Sequence, residues 1–210
     1  MGSYGCNLRC PFCQNSDISM SDGSLPTVFL SPQALVEKAL ELRPRGNIGI
    51  AYTYNEPLVG YEYVRDCSAL AKEKGLKNIV VTNGCFCEEP LRGLLPEIDA
   101  MNIDLKAFSQ RFYKMAGGDL ETVKKAIEIC SSACHVEVTT LIVPGENDTR
   151  QEMEALSSWL AGVDPGIPLH VTRFFPRWKM SDREPTPVGT VYGLAEAARK
   201  HLHDVYVGNC

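Results

Sequence analysis

No run of about 18 uncharged apolar residues occurs in the chain, which argues against a membrane-spanning helix. The opening residues MGSYGCNLRC lack the basic-then-apolar layout of a secretory leader, so the protein is expected in the cytoplasm. Long blocks of one charge sign are missing too: 21 Lys and Arg stand against 26 Asp and Glu, a net charge of −5 that disfavours nucleic-acid binding. Neither an internal repeat nor a low-complexity linker interrupts the sequence, and residues 1–210 are expected to form a single domain. Cysteine, by contrast, is plentiful. Nine occur, an odd number in a chain expected in a reducing compartment, so metal or redox work accounts for them better than a disulfide framework.

Helical windows alternate with short β-branched runs, the pattern of repeated βα units on a parallel sheet. Ser31 and Pro32 read as the N-cap and first residue of a helix whose stripe is Leu35, Val36, Ala39 and Leu40. A second helix is expected to bury Val59, Tyr63, Cys67 and Leu70 and to stop at Gly75, with later helices at 88–95 and through Val123–Cys130, Met153–Leu160 and Val191–Leu202. Strands are expected at 47–53, 78–81, 99–105, 135–143, 168–174 and 205–207. Six strands in this grammar mean a partial or complete α/β barrel or an open doubly wound sheet.

Polar residues gather at the carboxyl ends of these strands, the edge where either architecture binds ligands: Tyr54-Asn55-Glu56, Thr82-Asn83, Asp104 with Lys106, Thr139-Thr140, and Thr172-Arg173. His170, within its strand, reads as a satisfied histidine rather than a ligand.

Cys6, Cys10 and Cys13 form a C-x3-C-x2-C loop before the first long helix. Thiolates select zinc or an iron–sulfur cluster. A closed zinc site wants four ligands, yet no Cys or His follows Cys13 until Cys67 and His135, both inside expected elements. Three cysteines on a [4Fe–4S] cluster would leave one iron open to a small molecule.

The string CNLRCPFC, followed by YNEP at 54–57, TNG at 82–84 and NIDLK at 102–106, resembles the radical S-adenosylmethionine (SAM) enzymes in both motifs and order. More narrowly, YGCNLRCPFCQN, AYTYNEP, LKNIVVTNG, NIDLKAF, VEVTTLIVPGEND, HVTRFFPRWKM and VYVGN resemble the AmmeMemoRadiSam-system enzymes, relatives of the pyruvate formate-lyase activating enzymes. This resemblance implies a partial (β/α)6 TIM-like barrel, a [4Fe–4S] cluster and reductive cleavage of SAM to methionine and a 5′-deoxyadenosyl radical. Only five residues precede Cys6, so the first strand is expected to be missing or shortened.

The same resemblance implies roles. Cys6, Cys10 and Cys13 would hold three irons, and Phe12 would pack near the adenine. Glu56, with Tyr54 and Asn55, occupies the place of a glycine-glycine-glutamate motif that receives the methionyl ammonium, although two bulkier residues here replace the glycines. Lys106 would meet the methionyl carboxylate and Asp104 the ribose hydroxyls, with Thr82 and Asn83 as second contacts and Thr139 at the adenine end. Phe174-Phe175-Pro176 stands where activating enzymes carry a ligand-contacting histidine, so Arg173 is expected to take over part of that polar work. Cys67 and Cys130 read as core, while Cys85 and Cys87 follow TNG at the active edge.

The leading function is therefore hydrogen abstraction from an unidentified substrate, with a flavodoxin or ferredoxin as reductant. An activase that installs a glycyl radical on a partner protein is the alternative within the class. A non-catalytic iron–sulfur carrier or a structural zinc protein is the rival from another class, but neither needs the YNEP, TNG and DLK set.

Overall fold

The computed structural model describes residues 1–210. Six parallel strands, β1 (Gly49–Tyr52), β2 (Lys77–Thr82), β3 (Ala100–Asp104), β4 (His135–Ile142), β5 (Leu169–Arg173) and β6 (Val205–Gly208), lie in sequential order. Every neighbouring pair is parallel. An order that never reverses has no topological switch point, so the chain is singly wound, as in a partial barrel, rather than doubly wound. Eight helices accompany the strands: α1 (Ser16–Ser19), α2 (Pro32–Glu41), α3 (Tyr61–Glu73), α4 (Glu88–Leu94), α5 (Gln110–Ala116), α6 (Leu120–Ser131), α7 (Arg150–Val163) and α8 (Val188–Ala198).

Local chemistry sets several boundaries. Ser31 Oγ accepts from Ala34 N, and Asp119 from Thr122 N, so each caps its helix. Gly84 ends the TNG turn with φ +69°, and a Cβ there would stand 2.8 Å from Ile103 Cγ2. Only glycine fits.

Strand residues alternate between a fully buried face and a half-buried one. The buried face, including Val80, Ile103, Val138 and Val171, packs on Val64, Cys67, Ile127, Leu156 and Leu194 of the helices to make the main core. The half-buried face lines the concave side of the open barrel.

Two expectations change. Val59 is half exposed, because Pro57–Gly60 forms a 3₁₀ turn ahead of α3 and shifts the buried stripe to Val64, Cys67, Ser68 and Ala71. Helices α1 and α5 were not foreseen from the sequence. Beside β1, Met1 N donates to Ala51 O at 2.6 Å and Thr53 N donates to Met1 O at 3.1 Å. No helix is long and apolar enough to cross a membrane.

Candidate active site

A cavity of about 310 Å³ opens at the carboxyl ends of the strands. Cys6, Cys10 and Cys13 line it together with Phe12, Tyr54, Asn55, Glu56, Asn83, Asp104, Lys106 and Thr139. Eleven of the thirteen residues given site roles from sequence thus meet in one place. Thr82 does not line it: buried behind Glu56, its hydroxyl donates to Glu56 Oε1 at 2.8 Å. Arg173 is also elsewhere, donating to Thr186 O at 2.7 Å with its guanidinium over the Phe175 ring.

The cysteine loop is held from several directions. A small apolar cluster of Leu8, Cys10, Phe12, Phe112, Ala116, Phe174 and Met180 packs beneath it, with the Phe12 and Phe112 rings 5.4 Å apart. Asparagines pin it from the sheet side: Asn83 Nδ2 donates to Asn7 Oδ1 at 2.8 Å, Asn7 Nδ2 to Cys85 O at 2.7 Å, and Asn55 Nδ2 to Gly5 O at 2.9 Å. Backbone bonds from Arg9 N to Ala116 O and from Lys179 N to Pro11 O complete the support.

Burial pushes the Cys10 thiol up to about 11, against the pull of the nearby Lys106 charge, and raises Cys6 as well. Cys6 Sγ accepts from Leu8 N at 3.3 Å and from Asn83 Nδ2 at 3.6 Å, bonds that favour a thiolate there. No three His, Cys, Asp or Glu side chains surround a common point closely enough to share one metal ion. Three thiols on one cavity with no fourth Cys or His beside them suit a polynuclear cluster, in which each thiolate takes a different iron, better than a closed zinc site that wants four ligands. None of the nine cysteines is paired in a disulfide.

Glu56 is only 3% exposed. Its carboxylate accepts from Leu58 N, Thr82 Oγ1 and Asn83 N at 3.0, 2.8 and 2.7 Å, which latches the end of β1 to the end of β2. Burial raises its pKa, and these three donors oppose the rise without cancelling it. Tyr54 takes φ +85°, the left-handed conformation that a glycine would adopt freely, so the backbone shape of the glycine motif survives the substitution. Its carbonyl accepts from Asn15 Nδ2 at 2.6 Å.

Lys106 Nζ lies 2.9 Å from Asp104 Oδ2, with the lysine side chain 15% exposed. Burial would lower the lysine's pKa, but the charges of Asp104 and Cys10 outweigh it and keep the ammonium protonated. Lys106 N donates to Tyr113 Oη, and Asn147 Nδ2 donates to Lys106 O, so the backbone at the β3 end is fixed on both sides. Thr139 Oγ1 donates to Asn102 Oδ1 at 2.9 Å.

Sequence reasoning missed Asn7, Asn15, Tyr113 and Asn147 as supports. Asn147 also takes Val143 N and reaches Leu141 O, closing the β4 end, yet an Asn between Glu and Asp in a loop carries no signal of this. Cys67 and Cys130 are fully buried, whereas Cys85 is half-buried and Cys87 exposed. The latter two border a second, more open hollow between α4 and α6.

Comparison with known proteins follows the same lines. The chain is 37% identical over 209 residues to an uncharacterized protein of Methanocaldococcus jannaschii, covering 98% of this chain and 61% of that protein's length. It is 26% identical to the pyruvate formate-lyase-activating enzyme of Clostridium pasteurianum, over 76% of this chain and 67% of that enzyme. In fold it matches Streptococcus suis SuiB bound to S-adenosylmethionine with a TM-score of 0.79 at 11% identity, over all of this chain and 50% of that one. A domain of a pyruvate-formate lyase-activating enzyme from Bacteroides vulgatus matches with a TM-score of 0.65 at 16% identity, over 77% of this chain and 99% of that one. Because the Radical SAM superfamily model matches residues 2–160, the chain belongs to the radical SAM superfamily, whose members are enzymes that use a [4Fe–4S] cluster and SAM.

Proposed function

We propose that this chain cleaves SAM reductively and uses the resulting 5′-deoxyadenosyl radical to take a hydrogen atom from a substrate. The observation that carries the reading is the convergence of three thiols, a buried carboxylate and a half-buried lysine–aspartate pair on one cavity. When bound, the cluster supplies one electron to the sulfonium, so that a C–S bond breaks into methionine and the radical. Cys6, Cys10 and Cys13 would hold it.

The protein's own groups then bind and orient. The Lys106 ammonium is a charge-assisted donor for the methionyl carboxylate, and Asp104 is an acceptor for ribose hydroxyls. Glu56 supplies negative charge toward the methionyl ammonium, with Tyr54 and Asn55 shaping the turn above it, while Phe12 and Thr139 bound the adenine end. Fixed placement of this kind directs the bond that breaks.

Residues 1–210 act in this reading as a single domain of the AmmeMemoRadiSam-system type. Unpaired cysteines suit a cytoplasmic setting, and a flavodoxin or ferredoxin would supply the electron. A glycyl-radical activase is the second reading, favoured by the similarity to the C. pasteurianum activating enzyme and by 23% identity to a putative glycyl-radical enzyme activating enzyme of M. jannaschii.

Anaerobic reconstitution with iron and sulfide, reduction by dithionite and chromatography for 5′-deoxyadenosine test the proposal. Product that depends on both cluster and SAM supports it. About one zinc with no acid-labile sulfide would overturn it.

A further inference from the structure

Beneath the cavity, the concave face of the sheet carries a polar group that the cysteine and SAM chemistry does not use. Glu137 on β4 lies between two histidines: its Oε1 is 3.2 Å from His135 Nε2 and its Oε2 is 2.7 Å from His170 Nε2. His170 stacks on Tyr206 of β6, with ring centroids 5.4 Å apart and planes at 26°. Strand register ties this cluster to the site. Asp104, Thr139, His170 and Tyr206 are successive partners across β3, β4, β5 and β6, so His170 and Tyr206 continue the row that lines the cavity. Glu137 is two residues before Thr139 on the same face, about 7 Å along the strand.

The cluster remains accessible, with the Glu137 and His170 side chains 36% and 30% exposed and Tyr206 half exposed. Partial burial pushes the Glu137 carboxyl upward, but the bonds from His135 and His170 outweigh it and hold the group ionised. Each Glu137 carboxylate oxygen faces one ring and keeps a further lone pair for another donor. The lysines on this face are already paired, Lys106 with Asp104 and Lys77 with Asp99. Facing them across the trough, Ala51, Ile79 and Val81 of β1 and β2 offer only apolar surface. A metal ion is the poorer occupant, since the three side chains do not surround a common point at ligand distance.

We propose that Glu137, held between His135 and His170, anchors a substrate that carries an ammonium or guanidinium group on an apolar body, with Tyr206 lending its ring to the cation. An ionised acceptor beside an aromatic face is the chemistry that recognises such a cation. The role as substrate anchor rests on the SAM-cleaving function proposed above; the cation site itself does not.

The test uses cluster-loaded protein with side-chain-labelled histidine, read by NMR during titration with n-butylguanidinium, n-butylammonium and butyrate. Saturable shifts at His135 and His170 with the cations but not with butyrate are expected, weakened at least tenfold in Glu137→Gln and several-fold in Tyr206→Ala. Tyr206 is half exposed, so the second variant keeps the fold even if the first does not. Butyrate binding with silent cations, unchanged cation affinity in Glu137→Gln, or one-to-one zinc capture that displaces n-butylguanidinium would each overturn the proposal. Absence of 5′-deoxyadenosine alongside intact cation binding would instead count against the SAM-cleaving function and remove the substrate role with it.

Discussion

Cys10 and Cys67 are both buried thiols, and burial pushes both up to about 11. Their surroundings differ. Cys67 sits on α3 in the sheet–helix core, where it fills volume among apolar neighbours. Cys10 belongs to the smaller cluster under the loop and shares its cavity with two other thiols and the Lys106 charge. Burial and titration therefore do not separate a structural cysteine from a ligand; the other groups on the same cavity do. The two regions are also held differently. The core rests on apolar packing, which tolerates volume-conserving change, whereas the loop rests on a few asparagine amides with fixed partners.

The strongest way to break this contrast is to delete each thiol in turn. Cys10→Ala should abolish the cluster, while Cys67→Ala should leave iron and acid-labile sulfide near the wild-type level and cost about 1 kcal/mol for its small cavity. Equal iron content in the two variants would erase the distinction. A second comparison sets Lys106→Ala against Thr139→Ala in equilibrium binding of SAM to cluster-loaded protein. Loss of a charge-assisted contact should weaken binding by more than about tenfold and loss of a neutral one by less, so matching affinities would remove Lys106 from the ligand contacts.

Asn83→Ala sharpens the comparison at the tether. Its backbone bond to Glu56 stays, but the amide links to Asn7 and Cys85 are lost, at a cost of about 1–3 kcal/mol in urea unfolding and a reduced yield of cluster. Unaltered cluster yield would mean that the apolar cluster alone fixes the loop.

Glu56 gives a pH signature that the core lacks. Its carboxyl is raised in the fold, chiefly by burial, so the folded state holds that proton more tightly than the unfolded chain does. That contribution is full below the ordinary glutamate range and lost as pH climbs through the raised value. Unfolding midpoints of the metal-free protein should fall over this window, and Glu56→Gln should flatten the slope. The smallest effect is expected at Tyr54, where Tyr54→Gly relieves left-handed strain but adds unfolded-state entropy; a thermal-unfolding gain of under about 1 kcal/mol is expected. A loss instead would show that the Tyr54 ring contributes more than its backbone costs.

Much of this was legible early. Caps at Ser31 and the alternation of β-branched runs with helical stripes placed most elements within a few residues, because they depend on neighbours close in sequence. Helix α5 was not legible, since its buried residues Phe112, Tyr113 and Ala116 are too few to mark a helical stripe. Val59 was misplaced because Pro57 starts a 3₁₀ turn before the α-helix proper.

What the sequence by itself determined is chemical: three cysteines on one short loop and an Asp-x-Lys pair at the end of a strand. Each depends on covalent spacing and local backbone shape, which the chain carries before it folds. What only the tertiary structure decided is how distant segments meet. The sequential strand order made the sheet a partial barrel, buried Thr82 behind Glu56, turned Arg173 away from the cavity, and brought His135, Glu137, His170 and Tyr206 together on its concave face. The reason is physical: strand pairing sets which residues become neighbours across the sheet, and a register fixed by the burial of one whole face appears only when all the strands have closed on their helices.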